Sequence, residues 1–231
     1  MALFTAGPVV GQVSGRIGAS VFSHNRGGPY IRNGTIPTLV TSQEAINAKG
    51  RLAAQSQAWD NLTTEQRLAW LEWARSNPVV NRLGSQVTIG GNAAFVGINT
   101  RLAYAGDATL TDPPIADPPL ALASLTPTFD IGPGDFILAF TATPLEATIK
   151  LWVRICVLSN IGINYVENRL RLLLASAAAQ ATDLDIETEL RARFGTLVVG
   201  QKIVVRAHTF DNATGLLSAP TQAEGLVVDT T

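Results

Sequence analysis

Thr111-Asp-Pro-Pro-Ile-Ala-Asp-Pro-Pro119 places four prolines within nine residues near the middle of the 231-residue chain. Proline fits neither a helix interior nor a central strand, because it lacks the backbone N–H and its ring clashes with the preceding turn. The nine residues therefore predict a stiff, extended spacer. The pattern before them is glycine-rich and then helical, whereas the pattern after them alternates as in strands. Two modules are expected to meet at this spacer.

The residues after the spacer predict a sheet-rich module. In 150–157 the aliphatic residues Leu151, Val153, Ile155 and Val157 alternate with Trp152 and Cys156, so the aliphatic set is expected to point inward. The pattern does not decide which face meets solvent. Strands are predicted over 129–131, 135–143, 148–158, 168–175, 201–210, 216–218 and 225–228, with a short helix over 183–194. About seven short strands separated by turns are typical of an immunoglobulin-like or fibronectin type III-like β-sandwich.

Three helices are predicted before the spacer. Thr41-Ser-Gln-Glu44 and Thr63-Thr-Glu-Gln66 have the capping-box spacing that begins a helix, and these two helices run to about Trp59 and Ser76. The third helix covers 93–104 and ends at Gly106. This set is thin, so it is expected to pack on the second module or on neighbouring molecules.

Trp59, Trp70 and Trp73 fall on the first two helices. We interpret them as a small hydrophobic core, with Trp70 and Trp73 one turn apart and facing Trp59. The alternative is an exposed platform on which bases or sugars stack. Acidic residues as well as arginines lie nearby in sequence, and no clear platform emerges.

The N-terminal residues predict an extended arm with a small hairpin. Residues 7–34 contain seven glycines, and the strand-like segments 20–23 and 30–32 flank the turn 24–28. Because glycine loses much entropy on ordering, such an arm usually becomes ordered by adding to another sheet or subunit. Residues 1–43 contain three arginines and no Asp or Glu, which favours docking on an acidic protein surface. The glycine spacing lacks G-x-G-x-x-G and a Walker lysine, so a phosphate cradle is not expected.

No group of residues in the sequence has the spacing of a catalytic, metal or cofactor site. His24 and His208 have no Cys, His or Asp cluster around them. Cys156 is the single cysteine, which suggests an inert core thiol. The acidic run 183–189 resembles the start of a helix more than a calcium loop. We therefore expect no enzyme activity, no cofactor and no small-molecule substrate.

Composition points to contacts with other protein chains. Charged residues make up 15% of the sequence, against about a quarter in a typical soluble domain, which leaves little charge to cover the surface. The net charge of −1 offers no global field for nucleic acid, which is not an expected partner. No apolar run reaches the length of a membrane span, and the first residues do not resemble an export signal.

The chain also resembles a family. The motifs are Gly15-Arg-Ile-Gly18, Val21-Phe22, Arg26-Gly-Gly-Pro-Tyr-Ile-Arg32, Arg51-Leu-Ala-Ala-x-Ser-x-Ala-Trp59, Leu62-Thr-x-x-Gln66-x-x-Ala69-Trp70 and Gly91-x-x-Ala94-Phe95. Together they are similar to those of uncharacterised proteins encoded beside tailed-phage or prophage structural genes. The C-terminal half resembles the fibronectin type III-like modules that phages append to head and tail proteins. No catalytic residue carries over from this family.

The resemblance implies a bacteriophage virion structural protein: a capsid-associated or decoration protein, or a head–tail component. It would be made in the host cytoplasm and assemble in many copies with itself and other virion proteins. The alternative is a non-catalytic module that binds a cell-surface protein or glycan through the loops 159–164 or 211–215, near Tyr165 and Phe210. The expected assembly residues are Arg16, Val21, Phe22, Arg26, Tyr30 and Arg32.

The predicted architecture is α+β. It consists of an extended glycine-rich arm with a short hairpin (1–40), a small helical domain (41–110), a proline-rich linker (111–124) and an immunoglobulin/fibronectin III-like β-sandwich (125–231).

Overall fold

The computed structural model describes residues 2–3, 13–25, 28–35, 42–80, 86–181 and 183–230. The fold is mixed α+β, as predicted. In these ranges the helices are α1 (Gln43–Ala58), α2 (Thr64–Ser76), α3 (Gly91–Ala105) and α4 (Glu187–Phe194), with a 3-10 turn at Trp59–Asn61. The strands are β1 (Ala2–Leu3), β2 (Gly15–Ile17), β3 (Ser20–Asn25), β4 (Gly28–Asn33), β5 (Val79–Val80), β6 (Gln86–Val87), β7 (Ser124–Asp130), β8 (Asp135–Thr141), β9 (Ile149–Leu158), β10 (Arg171–Ala175), β11 (Leu184–Asp185), β12 (Lys202–Asp211) and β13 (Thr221–Leu226).

The chain divides into two compact units, Met1–Asn47 and Ala48–Thr231. The first contains a four-stranded antiparallel sheet in the order β1-β4-β3-β2. The second contains most of the helices, the proline-rich residues and the remaining sheets. The predicted boundary at residue 40 lies close to this division, whereas those at residues 110 and 124 fall within the second unit.

Two antiparallel sheets of the second unit share one apolar core. Their strand orders are β11-β8-β7 and β10-β9-β12-β13, and β9 pairs with β12 along ten residues of each strand. Leu151, Val153 and Ile155 lie in this core with Phe136 of β8 and Val205 of β12. The expectation that the aliphatic residues of β9 point inward is therefore confirmed.

A second core lies on the other face of the sheet β10-β9-β12-β13. Trp152 of β9 and Phe210 of β12 pack there with Trp70, Phe95 and neighbouring residues of the helices. This core explains why the alternation in β9 did not reveal a solvent face: residues pointing in both directions are buried. The thin helical set packs on the sheet, as its small size indicated.

The tryptophans of the helices form a core rather than a stacking platform. Trp70 is fully buried and meets the edge of Phe95 at 5.4 Å between ring centroids. Trp73 packs against Trp70 at 5.9 Å, and Trp59 packs against Phe95 at 5.5 Å. Phe95 of α3, which sequence spacing did not link to them, therefore contacts both Trp59 and Trp70.

The proline-rich residues run across the second unit instead of separating two units. The indole Nε1 of Trp70 donates to the Thr111 carbonyl oxygen at 2.9 Å, and Pro114 is buried. Further along, Thr209 Oγ1 donates to the carbonyl oxygen of Leu120 at 2.6 Å. The prediction of an extended segment outside helices and strands holds, but the role of spacer does not. Carbonyl groups still accept hydrogen bonds where proline cannot donate them, so the segment can pack closely.

Several element boundaries differ from the predictions. The capping box of Thr63 and Gln66 is present, but the first helix begins at Gln43 with Ser42 as the residue before it; Thr41 lies outside the described residues. The predicted strand 216–218 is a single bridge between Leu217 and Phe210, and the last strand is Thr221–Leu226.

The first strand of the C-terminal region, predicted over 129–131, is longer than predicted. It covers Ser124–Asp130 and includes Pro127. Since β7 lies at the edge of its sheet, the missing N–H of a proline is tolerated there.

Candidate functional site

The N-terminal sheet holds the residues that sequence analysis assigned to assembly. Gly18 has a φ of +59°, which glycine adopts without strain, and it begins the turn that joins β2 to β3. The Gly34 amide donates to the Ala19 carbonyl at 2.6 Å and fixes the end of β4 beside this turn. β3 and β4 pair from Ser20↔Asn33 to Asn25↔Gly28, so the predicted hairpin is present. Its tip, Arg26 and Gly27, lies outside the described residues.

One face of this sheet is basic and aromatic. In antiparallel sheets, directly paired residues project to the same side. Arg16 pairs with Val21, Val21 pairs with Arg32, and Ser23 pairs with Tyr30. Four of the six expected assembly residues therefore share one face, although the sequence distributes them over seventeen positions.

The opposite face is apolar. Phe22 pairs with Ile31 on one side and with Gly15 on the other, while Ile17 pairs with Ser20. Phe22 and Ile31 are half-buried, and Ile17 is 69% exposed. Phe22 thus lies on the face away from the arginines, and the sixth expected residue, Arg26, is outside the described part of the chain.

Arg16 is held along the turn rather than extended into solvent. Its Nε donates to the Gly18 carbonyl oxygen at 2.9 Å. A Cβ at Gly34 would approach the guanidinium of Arg16 to 3.3 Å, so a glycine at this position leaves room for it. Arg32 on the same face is exposed. With no acidic residue in 1–43, both charges are available to an acidic partner.

The sheet has no interior of its own. In the ranges 13–24 and 29–35, no residue is buried. Among the described strands, β2 has a neighbour on one side only, which makes it an edge of this sheet. Exposed edges pair readily with a strand from another chain. The unburied surface of this sheet, the edge of β2 and the positive charges of Arg16 and Arg32 together make it the candidate assembly site.

The two loops considered for receptor binding differ in accessibility. Gly215, at the end of 211–215, is buried, and a Cβ there would approach Ile98 Cγ2 of α3 to 2.7 Å. Phe210 is fully buried. The end of that loop at Gly215 therefore packs on the helices, whereas Ala213 within it is exposed. Beside the loop 159–164, in contrast, Tyr165 is 69% exposed.

The second unit has more than one surface recess. One of about 500 Å³ is lined mainly by proline and aliphatic side chains of 118–123 and 141–149, with Glu146 as its acidic residue. Converging polar groups, which mark most active sites, are few there. Among the described residues, no group of three or more His, Cys, Asp or Glu side chains could hold a metal ion. Burial raises the pKa of the Cys156 thiol, which suits a core residue.

Comparison of the chain with family models, curated proteins and solved structures gave no match. Within the described residues, none of the helices combines the length and the apolarity that crossing a membrane requires.

Proposed function

We propose that this protein is a bacteriophage virion structural subunit that joins its particle in many copies through the N-terminal sheet. The observation that carries the proposal is a four-stranded, glycine-containing sheet with no buried residue in 13–24 and 29–35 and with two arginines on one face. A sheet of this kind gains its missing apolar contacts and backbone hydrogen bonds from a partner. No enzyme activity is part of this proposal.

The second unit supports the proposal through its strand order. If β7, β8, β9, β10, β11, β12 and β13 are named A, B, C, C′, E, F and G, the sheets read E-B-A and C′-C-F-G. That order corresponds to a fibronectin type III-like sandwich, the module expected from the resemblance to phage head and tail proteins. The helix α4 between E and F and the helical layer on the outer sheet are additions to the simple form.

The proposed partner surface is acidic and offers a strand edge. Arg16 and Arg32 would meet its carboxylates, and the edge of β2 would pair with its strand. A symmetric, many-copy particle would repeat this contact at each subunit. Copies of this chain and other virion proteins are the partners.

The first test is mass measurement by light scattering, with the chain alone and mixed with particles that lack this subunit. The wild-type chain is expected to form closed oligomers or to bind the particles. Arg32→Glu should reduce binding, because it places a carboxylate opposite the acidic partner. Lys49→Glu is the matched control, since it makes the same charge change at an exposed position of α1 outside the sheet.

Deletion of residues 1–34 tests the whole sheet. Ala48–Thr231 is a compact unit by itself, so the truncated chain should remain folded and fail to join the particle. Normal incorporation of the truncated chain would refute the role of the arm. Equal loss of binding in Arg32→Glu and Lys49→Glu would refute the role of the charged face.

A cell-surface binding module is the second candidate, and exposed Tyr165 beside the loop 159–164 favours it. In that case the chain would be a monomer that ignores particles and binds host cells, and Tyr165→Ala would abolish cell binding. If the Tyr165→Ala variant binds particles as well as the wild type does, the result supports the virion subunit and not the cell-surface module.

A further inference from the structure

The sheet β10-β9-β12-β13 has an outer face, which points away from the core that it shares with β11-β8-β7. This outer face is covered at both ends and left open in the middle. On this face the directly paired residues of β9 and β12 are Lys150 with Phe210, Trp152 with His208, Arg154 with Arg206, Cys156 with Val204, and Leu158 with Lys202. At one end the helices cover Trp152 and Phe210. At the other end Val166 and Leu170 cover Cys156 and Leu158. Arg154 and Arg206 lie between the two covers.

Two arginines are thus placed directly opposite each other on adjacent strands. Like charges at directly paired positions destabilise a sheet unless they are compensated. Arg206 is compensated: Nη1 lies 2.8 Å from Glu167 Oε2, and Nη2 donates to Gln222 Oε1 at 2.8 Å. Arg154 is exposed, and in the described part of the chain no carboxylate lies within ion-pair distance of it.

A third arginine reaches the same place from the helices. Arg101 is on α3, one turn before Tyr104, whose ring packs on Trp152 at 5.1 Å. Its Nε donates to the Gly97 carbonyl at 3.1 Å, which leaves its terminal nitrogens for another acceptor. Burial, and then the nearby charge of Arg154, lower the pKa of Arg101. Trp152 precedes Arg154 by two positions on the same face of β9, so the contact of Tyr104 with Trp152 places Arg101 at this end of the cluster.

His208 completes the cluster. Its Nδ1 lies 3.0 Å from the Ser218 carbonyl, so Nδ1 carries the proton and donates it. Burial lowers the pKa of His208, the hydrogen bond to the Ser218 carbonyl raises it in part, and the charges of Arg154, Arg206 and Arg101 lower it again.

The cluster has more donors and positive charge than its own residues can satisfy. Three arginines face one acid, Glu167, which leaves an excess of two positive charges in a chain whose net charge is −1. An oxyanion with several acceptor atoms would supply what is missing.

We infer that Arg101, Arg154, Arg206 and His208 form a binding site for a phosphate-type oxyanion on the outer face of this sheet. The terminal nitrogens of Arg154 and Arg101 bind the anion, Arg206 adds its charge from a position fixed by Glu167, and His208 donates from Nε2 once it is protonated. The phosphate can be a free ion or a phosphate group of a nucleic-acid backbone.

The chain offers a direct probe, because it has only two histidines. The pKa values of both are measured by NMR of the imidazole signals, with and without inorganic phosphate at constant ionic strength set by potassium chloride. Phosphate is expected to raise the pKa of His208, with saturation, and to leave that of exposed His24 unchanged. A shift that follows ionic strength alone, or that acetate reproduces, would overturn the proposal.

Substitutions test which arginines bind the phosphate. Arg154→Gln should weaken phosphate binding by at least about tenfold, the loss expected for a hydrogen bond to a charged group. The exposed Arg75→Gln on α2 removes the same charge elsewhere and should leave binding unchanged. Arg101→Gln should also weaken binding, and it supplies a second test if Arg154→Gln does not fold. Unchanged affinity in both folded variants would overturn the proposal.

A second experiment distinguishes a free phosphate ion from a phosphate group of a nucleic-acid backbone. A single-stranded oligonucleotide without terminal phosphates is titrated into the wild type and into Arg154→Gln. Binding that depends on Arg154 and exceeds that of inorganic phosphate assigns the site to a nucleic-acid backbone. Phosphate binding without oligonucleotide binding assigns it to a small free anion, and absence of both overturns the proposal.

Discussion

Gly91 and Gly97 lie on the same helix, yet substitution of each by alanine should change stability in opposite directions. Gly91 is the first residue of α3 and is buried against α2. A Cβ built at Gly91 would lie 2.9 Å from the backbone nitrogen of Leu71 and 3.1 Å from its Cα. A Cβ at Gly97 would meet no atom within 4 Å, and Gly97 is exposed. Only at Gly91 does the close approach of two backbones require the absence of a side chain.

The magnitudes follow from two competing terms. Alanine stabilises a helix relative to glycine by roughly 0.5–1 kcal/mol, chiefly through the entropy of the unfolded chain. At Gly91 the contacting atoms belong to the backbone of α2, so α3 must shift by roughly 0.5 Å to restore carbon contacts near 3.5 Å. Such overpacking costs about 1–3 kcal/mol. Gly91→Ala should therefore be destabilised by about 1–2 kcal/mol, and Gly97→Ala stabilised by about 0.5–1 kcal/mol.

The assay is urea unfolding followed by tryptophan fluorescence, with thermal unfolding as a second measure. Trp70, whose backbone carbonyl carbon would lie 3.1 Å from the new Cβ, reports directly on the shift of α3. For a unit of this size, Gly91→Ala should lower the melting temperature by about 2–8 °C. If both variants are stabilised equally, the close approach of α2 and α3 is wrong.

Three further predictions concern single contacts. Thr63→Ala removes the cap that the Thr63 hydroxyl makes with the Gln66 amide, and should cost about 1 kcal/mol in urea unfolding; if α2 does not depend on this cap, the urea midpoint will not move. Asp107→Ala leaves the buried ammonium of Lys150, 2.7 Å from the Asp107 carboxylate, with only the Ala105 carbonyl, and should cost about 3 kcal/mol. Lys150→Met leaves the Asp107 carboxylate, whose Oδ2 has no hydrogen-bond partner among the described residues, without its cation and should also be destabilising; a negligible loss in both variants would contradict a buried pair. Because the pKa of His208 is lowered in the folded state, its contribution to stability is fully present above about pH 6.5, the ordinary value, and is lost as the pH falls through the lower folded value. The difference in unfolding free energy between wild type and His208→Asn should shrink over that interval, and a constant difference would show that His208 does not titrate with a lowered pKa.

Local features were predictable from sequence because their causes lie within a few residues. The capping box at Thr63, the helix stop at Gly106 and the alternation of Leu151 and Val153 each depend on neighbours along the chain. The hairpin of β3 and β4 follows from its glycines and β-formers.

Faces and neighbours were not predictable in the same way. That Arg16 and Arg32 share one face, with Phe22 on the other, depends on the register of three strands. The proline-rich residues were expected to separate two modules, yet Trp70 and Thr209 bind their carbonyl groups within one unit. Proline content reveals which secondary structures are excluded, but it does not reveal what the segment packs against.

The sequence by itself determined the α+β class, the Thr63 cap of α2, the basic character of the arm and the inward side of β9. Only the tertiary structure decided that the outer side of β9 is also covered, and that Arg101, Arg154 and Arg206 come together. The physical reason is range. Propensity, capping and alternation act over one or two turns of chain, whereas burial and electrostatic coupling depend on distances in space between residues far apart in sequence.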